Sequence, residues 1–331
     1  MIRVVQIGIG PLGQRMVKFA LERGGFEFVG AVDPSPEKAG KDLGELAGLP
    51  PLGVEVKPSL KVALHGRSAD AAILTTVSDM ARIEPQVAEL AAAGLNVVST
   101  CEEMVYPWRT DPVRARNVDA ACRAAGVTCL STGVNPGFLM DFLPCALAGV
   151  CQRVDKVVVR RVQDASVRRV PFQMKIGAAL TMEEFERKRL GGTLRHVGLT
   201  ESIHMLAARL GWELDRVTES LEPIVAKERI RGGYAVVEPG MAAGVLQIGR
   251  AFRGEKEVIT LEFRAAVGEP QSFDSVEIVG SPNFQSLIPG GINGDIATCA
   301  IVLNSLPGVL RAEPGLKTMI DLPAPAWSMA D

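Results

Sequence analysis

The first 33 residues constrain this chain more than any other stretch. An apolar run, Val4-Val5-Gln6-Ile7, enters the turn Gly8-Ile9-Gly10-Pro11-Leu12-Gly13, and a segment of helical period (Met16, Val17, Phe19, Ala20, Leu21) follows. A second apolar run, Phe26 to Val32, ends on Asp33. This is the order of a βαβ unit: one glycine for the tight turn, one for close approach of a pyrophosphate, one for helix–strand packing. Amides at a helix N-terminus favour the phosphate's negative charge. Asp33 lies 20 residues past Gly13, the offset of a carboxylate that takes ribose hydroxyls. Together these predict a dinucleotide site at Gly8, Gly10, Pro11, Leu12, Gly13 and Asp33.

The alternation continues. Ala71 to Thr76, Leu95 to Thr100 and Val127 to Leu130 read as buried strands, and 83–93 and 113–125 as helices. Short apolar strands spaced by helices predict a Rossmann-type, doubly wound parallel sheet, with ligand at the strands' carboxyl ends. That rule selects Thr75, Thr76, Thr100 to Met104 and Ser131 to Phe138.

Beyond residue 150 the pattern changes. Segments 154–162, 222–230, 246–252, 258–265 and 275–279 read as longer strands, several alternating apolar with charged residues. They predict a second α+β domain with a mixed, largely antiparallel sheet. A helix over 200–210 has Thr200 as its expected N-cap and Gly211 as its stop; another over 294–305 is expected to end at Pro307. The expected division is a dinucleotide-binding domain at 1–145 completed by 292–331, with a substrate-binding and dimerisation domain at 146–291.

Length and composition suit two cores: 331 residues, 47% hydrophobic. Net charge is −2, from 36 basic and 38 acidic residues well mixed, so nothing points to nucleic acid. No leader pattern and no long apolar span is read, and six cysteines lack a CxxC pair. A cytoplasmic protein is expected, and three histidines without ligand spacing argue against a metal.

Few residues at the sheet's carboxyl edge suit proton transfer. Cys101-Glu102-Glu103-Met104 follows a strand. If the backbone stays extended there, Glu102 and Glu103 diverge and only one faces the cofactor. The bland alternative is a solvated turn. In Ser131-Thr132-Gly133-Val134-Asn135-Pro136-Gly137-Phe138, Asn135 either caps a helix or orients a carboxamide or substrate nitrogen. Phe138, Met140, Phe172 and Met174 line a pocket or fill a core. His196 follows Gly191-Gly192 and either closes over substrate or is a structural histidine; His204 reads as a core or interface histidine, and His65 gets no role. A substrate carboxylate needs an arginine clamp, for which Arg160, Arg161, Arg168, Arg169 and Arg195 are unranked candidates. Asp33 favours NAD over a 2′-phosphate, while Lys38 and Lys41 soften that preference and leave NADP open.

The run Ser131 to Asp141, preceded by Glu102-Glu103-Met104, resembles the 2,4-diaminopentanoate dehydrogenase family, which includes native amine dehydrogenases. So do Arg195-His196-Val197-Gly198-Leu199-Thr200-Glu201-Ser202, Gly294-Asp295-Ile296-Ala297-Thr298 and Pro314-Gly315-Leu316. The resemblance covers nearly the whole chain, and the nucleotide domain is similar to dihydrodipicolinate reductase. It implies a homodimer that oxidatively deaminates a small amine or diamino acid to a ketone and ammonia, reversibly, with NAD(P). It places the family's glutamate on Glu102 or Glu103, Glu102 being favoured, and adds to the case for His196; with the residue readings above, the expected substrate contacts are Asn135, His196, Phe138 and Met140. The paired-histidine and DAPSGT-like motifs of true dihydrodipicolinate reductases are missing from residues 155–200, and no Lys-Pro pair of the sugar oxidoreductases follows residue 97. The competing readings are another reductase on this architecture and a non-catalytic nucleotide-binding subunit.

Overall fold

In the computed structural model, which describes residues 1–194 and 196–328, the chain divides into two units. One is Met1–Phe138 with the segment from Asn293 onward; the other is Leu139–Ile292. The first crossover thus falls earlier than the expected 145/146. Leu139 and Met140 already line the interior of the second unit with Leu143 and Val159.

The first unit is built on β1 (Ile2–Ile7), β2 (Phe26–Val32), β3 (Val56–Lys57), β4 (Ala71–Leu74), β5 (Asn96–Ser99) and β6 (Thr128–Ser131). Every neighbouring pair is parallel, in the order β6-β5-β4-β1-β2-β3. A three-residue strand, Gly315–Lys317, adds to the outer edge of β6 and makes seven. β4 and β6 are buried at all four positions, as strands covered on both faces must be. Helices Pro11–Arg23, Met80–Ala92 and Pro112–Ala125 each bury one apolar stripe, for example Ile83, Val87 and Leu90. Strand order reverses between β1 and β4, so the loops after these two strands open the crevice where ligands bind in such sheets.

The C-terminal helix differs from expectation. It spans Gly294–Val309, passing through Pro307, and Asn293 caps it by accepting from the Asp295 and Ile296 amides. Pro307 lies in the last turn, where losing one donor is cheap, and Leu310 N still donates to Leu306 O at 3.0 Å.

The second unit is a six-stranded sheet: β7 (Arg153–Asp164), β8 (Arg216–Val225), β9 (Ala242–Arg253), β10 (Lys256–Ala266), β11 (Phe273–Ser281) and β12 (Phe284–Pro289). The order is β12-β11-β7-β10-β9-β8, antiparallel except for β7 with β10. β12 was not anticipated, and β8 begins six residues before the expected 222. The helix Leu199–Arg209 packs on β9 and β10. A Cβ at Gly249 of β9 would stand 2.8 Å from Ile203 Cδ1 and 3.1 Å from Leu199 Cδ2, so glycine lets helix and sheet approach. Its N-cap is Gly198 (φ +105°) rather than Thr200, which lies inside the helix and donates its hydroxyl to Glu219. Two further helices, Val170–Lys175 and Met182–Leu190, were not expected. The second opens on a capping box, Thr181 with Glu184, whose T-x-x-E spacing is visible in the sequence. No described helix is long and apolar enough to cross a membrane.

Candidate functional site

The glycine turn is held from beneath by two polar side chains. Gln6, fully buried in β1, donates to Gly8 O (3.0 Å) and Thr75 Oγ1 (2.9 Å), and Thr75 Oγ1 donates to Gly8 O at 2.8 Å. Gly8 takes φ +84°, and a Cβ there would sit 2.7 Å from Thr75 O. A Cβ at Gly13 would lie 2.1 Å from Gly8 O, so only glycine lets the helix Pro11–Arg23 start against β1. Gly10 is the opposite case: a Cβ would meet no heavy atom within 4 Å. Its missing side chain opens space in front of first-turn amides that have no carbonyl behind them, with Pro11 at the position that needs no N–H. Leu12 is half-buried in that first turn.

Gly13→Ala is therefore expected to destabilise the fold by about 1–3 kcal/mol through overpacking. Gly10→Ala is expected to leave Tm near the parent's while weakening dinucleotide binding. Thermal shift with and without NAD separates the two; equal behaviour would contradict these opposite roles.

Asp33, 6% exposed, stands at the end of β2. Its Oδ2 accepts from Ile9 N and from Lys38 Nζ, both at 2.8 Å, and Oδ1 accepts from Ser35 N at 3.0 Å. Burial works against its charge, but the hydrogen bonds from Lys38, Ile9 and Ser35 outweigh it and hold the carboxyl below the usual range. A cavity of about 520 Å³ runs past Gly8, Gly10, Asp33, Lys38, Thr76 and Arg82. Thr76 Oγ1 donates to Gln86 Oε1 at 2.7 Å on its wall. Lys41 is exposed and takes no part in that wall.

β5 and β6 are paired neighbours, so the loops that follow them leave the sheet side by side. Thr132 N donates to Ser99 O (2.9 Å) and Ser131 Oγ to Cys101 O (2.6 Å), tying the two loops together. Thr100 N donates to Leu74 O across β4, leaving its half-buried side chain at the start of the first loop. That loop is a 3₁₀ turn, Glu102–Met104, not the extended backbone expected. Glu103 turns back: its amide donates to Ser78 O (3.1 Å) and its Oε2 accepts from Met80 N (2.9 Å). Glu103 thus completes the N-terminus of the helix Met80–Ala92 beside its cap, Asp79. Glu102 is half-buried on the same turn.

In the second loop Gly137 (φ +124°) passes so close to Gly133 that a Cβ would lie 2.5 Å from its nitrogen. Val134 N donates to Thr298 Oγ1 at 3.2 Å. Asn135 does not cap a helix; the next one, Phe142–Leu147, is capped by Asp141. Both polar atoms of the Asn135 side chain, and Thr132 Oγ1, are buried without a protein partner. Buried amides are nearly always satisfied, so an orphaned donor and acceptor together mark a place for a ligand amide. The glycine cradle, the Asp33 carboxylate and the Asn135 amide fit a nicotinamide dinucleotide.

The remaining expected residues lie elsewhere or pack differently. Phe138 is half-buried at the end of the loop. Met140 is a core residue: it is fully buried and borders only a gap of about 10 Å³. Met174 is exposed on the helix Val170–Lys175, so it neither lines a pocket nor fills a core.

His196 lies within the second unit. Gln247 of β9 accepts from its amide (2.8 Å) and donates to its carbonyl (2.9 Å), so the backbone is fixed to the sheet. The ring packs on Phe263 with centroids 4.4 Å apart, and Nδ1 is buried without a partner. Burial first, then the charges of Lys175, Arg161 and Arg168, push this imidazole well below its ordinary pKa, so it is neutral. The surroundings rank the arginines. Arg160 pairs with Glu277 and Glu262, and Arg161 with Asp274 at 2.9 Å, while Arg169 is exposed. Arg195 lies outside the described residues. Arg168 stacks over Phe172 at 4.1 Å and donates to Gln163 Oε1 at 2.8 Å. The sequence reading passed over Gln247 and Gln6, whose roles depend on distant partners.

Comparison with known proteins gives concordant results. The family model described as 2,4-diaminopentanoate dehydrogenase C-terminal domain matches residues 138–331. A 2,4-diaminopentanoate dehydrogenase of Acetoanaerobium sticklandii is 32% identical over 100% of this chain and 96% of its own. An amine dehydrogenase of Streptomyces virginiae is 24% identical over 98% and 96%. The solved structure of an amine dehydrogenase from Mycobacterium smegmatis superposes with a TM-score of 0.87, at 27% identity, covering 99% of this chain and 97% of that one.

Proposed function

The chain belongs to the 2,4-diaminopentanoate dehydrogenase family, and we propose that it oxidatively deaminates an amine or diamino acid to a ketone and ammonia. It is an oxidoreductase acting on CH–NH₂ donors with NAD(P). The observation that carries the reading is the orphaned Asn135 amide on the loop beside the Glu102 turn. When bound, the nicotinamide cofactor supplies the acceptor for the hydride on the amine-bearing carbon.

The protein's part is to hold, orient and move protons. Gly8 to Gly13 and Asp33 hold the pyrophosphate and ribose. Asn135 fixes the carboxamide and so the face of the ring. Loss of hydride leaves the substrate an iminium, which water attacks at carbon. Glu102 takes one proton from that water and passes it to nitrogen, then takes the remaining hydroxyl proton as the C–N bond breaks, giving the ketone and ammonia and leaving Glu102 protonated until it releases that proton to solvent. The first unit thus carries the cofactor and the base. We take the enzyme as a cytoplasmic homodimer.

The test is NADH formation at alkaline pH with 2,4-diaminopentanoate and with 2-aminopentane, repeated with NADP and with Asn135→Ala. The carboxylate-bearing amine is expected to be preferred. Asn135→Ala is expected to lower turnover of both amines about 10- to 100-fold. Turnover of neither amine by NAD-bound protein would overturn the deaminase reading. Preference for 2-aminopentane would overturn the diamino acid as the substrate and leave the deaminase reading standing.

A further inference from the structure

We propose that Lys38 sets the cofactor's phosphate specificity, by acting as a movable counter-ion that lets one adenosine subsite accept either a free ribose or its 2′-phosphate. The inference rests on the dinucleotide reading of the first unit, and on nothing in the deamination chemistry.

The lone pairs of Asp33 carry the argument. A carboxylate oxygen accepts about two hydrogen bonds. Oδ2 already has two donors, Ile9 N and Lys38 Nζ, each at 2.8 Å, while Oδ1 has one, Ser35 N. A ribose diol that engages both oxygens must therefore take the place of Lys38 on Oδ2. The Ile9 and Ser35 amides belong to the backbone and stay. Lys38 is the one donor on a flexible stem, 27% exposed, against 9% for the carboxylate it pairs with. It moves; Asp33 does not.

The same lysine answers a 2′-phosphate. A bare Asp33 at this position would repel the added negative charge, which is how such an acid selects the unphosphorylated cofactor. Here the acid faces the cavity with a cation 2.8 Å away, so its field is largely cancelled before any ligand arrives. Arg82 lines the same cavity from the helix Met80–Ala92 and is held only by a long 3.7 Å contact to Asp79. Glu89, also on the wall, opposes them, so among the charged groups lining the cavity two cations face two acids. Shifting Lys38 from Asp33 to the phosphate changes the local charge without new groups. With the free ribose, Lys38 withdraws and Asp33 binds the diol.

The test uses the full-length protein and two probes that need no turnover, ADP-ribose and 2′-phospho-ADP-ribose, titrated calorimetrically at low salt. The parent is expected to bind both within about tenfold of one another. Lys38→Gln is expected to weaken the 2′-phosphate form by about 10- to 100-fold, while ADP-ribose binds as well as before or better. Lys38→Arg is expected to restore the 2′-phosphate form. Equal weakening of both probes by Lys38→Gln, or a ratio that moves less than twofold, would overturn the proposal. An enzyme inactive on every amine but showing the expected probe ratios would leave this inference standing and remove only the deaminase reading.

Discussion

Glu102→Gln is expected to abolish amine oxidation while leaving NADH binding intact, with kcat falling about 10²–10⁴-fold, the range for a lost general base. Glutamine keeps the volume and one acceptor of glutamate but cannot hold the proton taken from the attacking water. The contrast with its neighbour makes the result interpretable. Glu103 Oε2 accepts from Met80 N at 2.9 Å, so Glu103→Gln preserves that acceptor and is expected to retain most activity. Glu103→Ala leaves a first-turn amide of the helix Met80–Ala92 unsatisfied and is expected to cost about 0.5–2 kcal/mol of stability. Steady-state rates and NADH fluorescence titrations on the three variants check this. If Glu102→Gln kept more than a tenth of kcat, or Glu103→Gln lost the activity instead, the base would be assigned to the wrong residue.

That assignment shows what was legible in the sequence and what was not. The glycine turn, the acid after β2 and the edge of β5 are local patterns, and the local chemistry of turns and strands carries them. The division of labour between two adjacent glutamates is not local. It depends on where a helix 23 residues earlier begins, and on a 3₁₀ turn in place of extended backbone. Lys38 was visible as a nearby cation, but its 2.8 Å contact with Asp33 follows from the fold of the 33–38 loop. In the second unit the arginines could not be ranked, because rank depends on cross-strand partners such as Asp274 and Glu277. The strand Gly315–Lys317 is too short for any periodicity and exists because β6 offers it an edge. The capping box at Thr181 and Glu184 was legible but passed unread, since the flanking residues are mostly charged.

Arg161→Met is expected to destabilise the protein by about 3–5 kcal/mol near neutral pH, the cost of breaking a buried ion pair at one side. Arg161 is 2% exposed in β7; its Nη1 donates to Asp274 Oδ1 at 2.9 Å and its Nη2 to Ile292 O at 2.8 Å. Asp274 Oδ2 in turn accepts from Ile292 N at 2.7 Å. Both ionisations are opposed by burial in spite of the pairing: Arg161 is pushed down to about 10 and Asp274 is raised above the ordinary carboxyl range. Burial thus works against both charges, while the pair fixes Ile292 through Arg161 Nη2 and Asp274 Oδ2. The sign with pH follows. A carboxyl whose folded pKa is raised contributes stability at pH below its unfolded value, and that contribution is lost as pH rises through the folded value. Removing Arg161 takes away the charge that restrains this shift, so Asp274 rises further. The loss in Arg161→Met is then expected to be largest near neutrality and to shrink as pH falls and Asp274 protonates. Arg161→Met with Asp274→Leu removes both charges and is expected to recover much of the stability and to lose the pH dependence. Urea unfolding at several pH values measures all of it. A single variant as stable as the parent, or a double variant no better than the single, would show that the pair does not have this role.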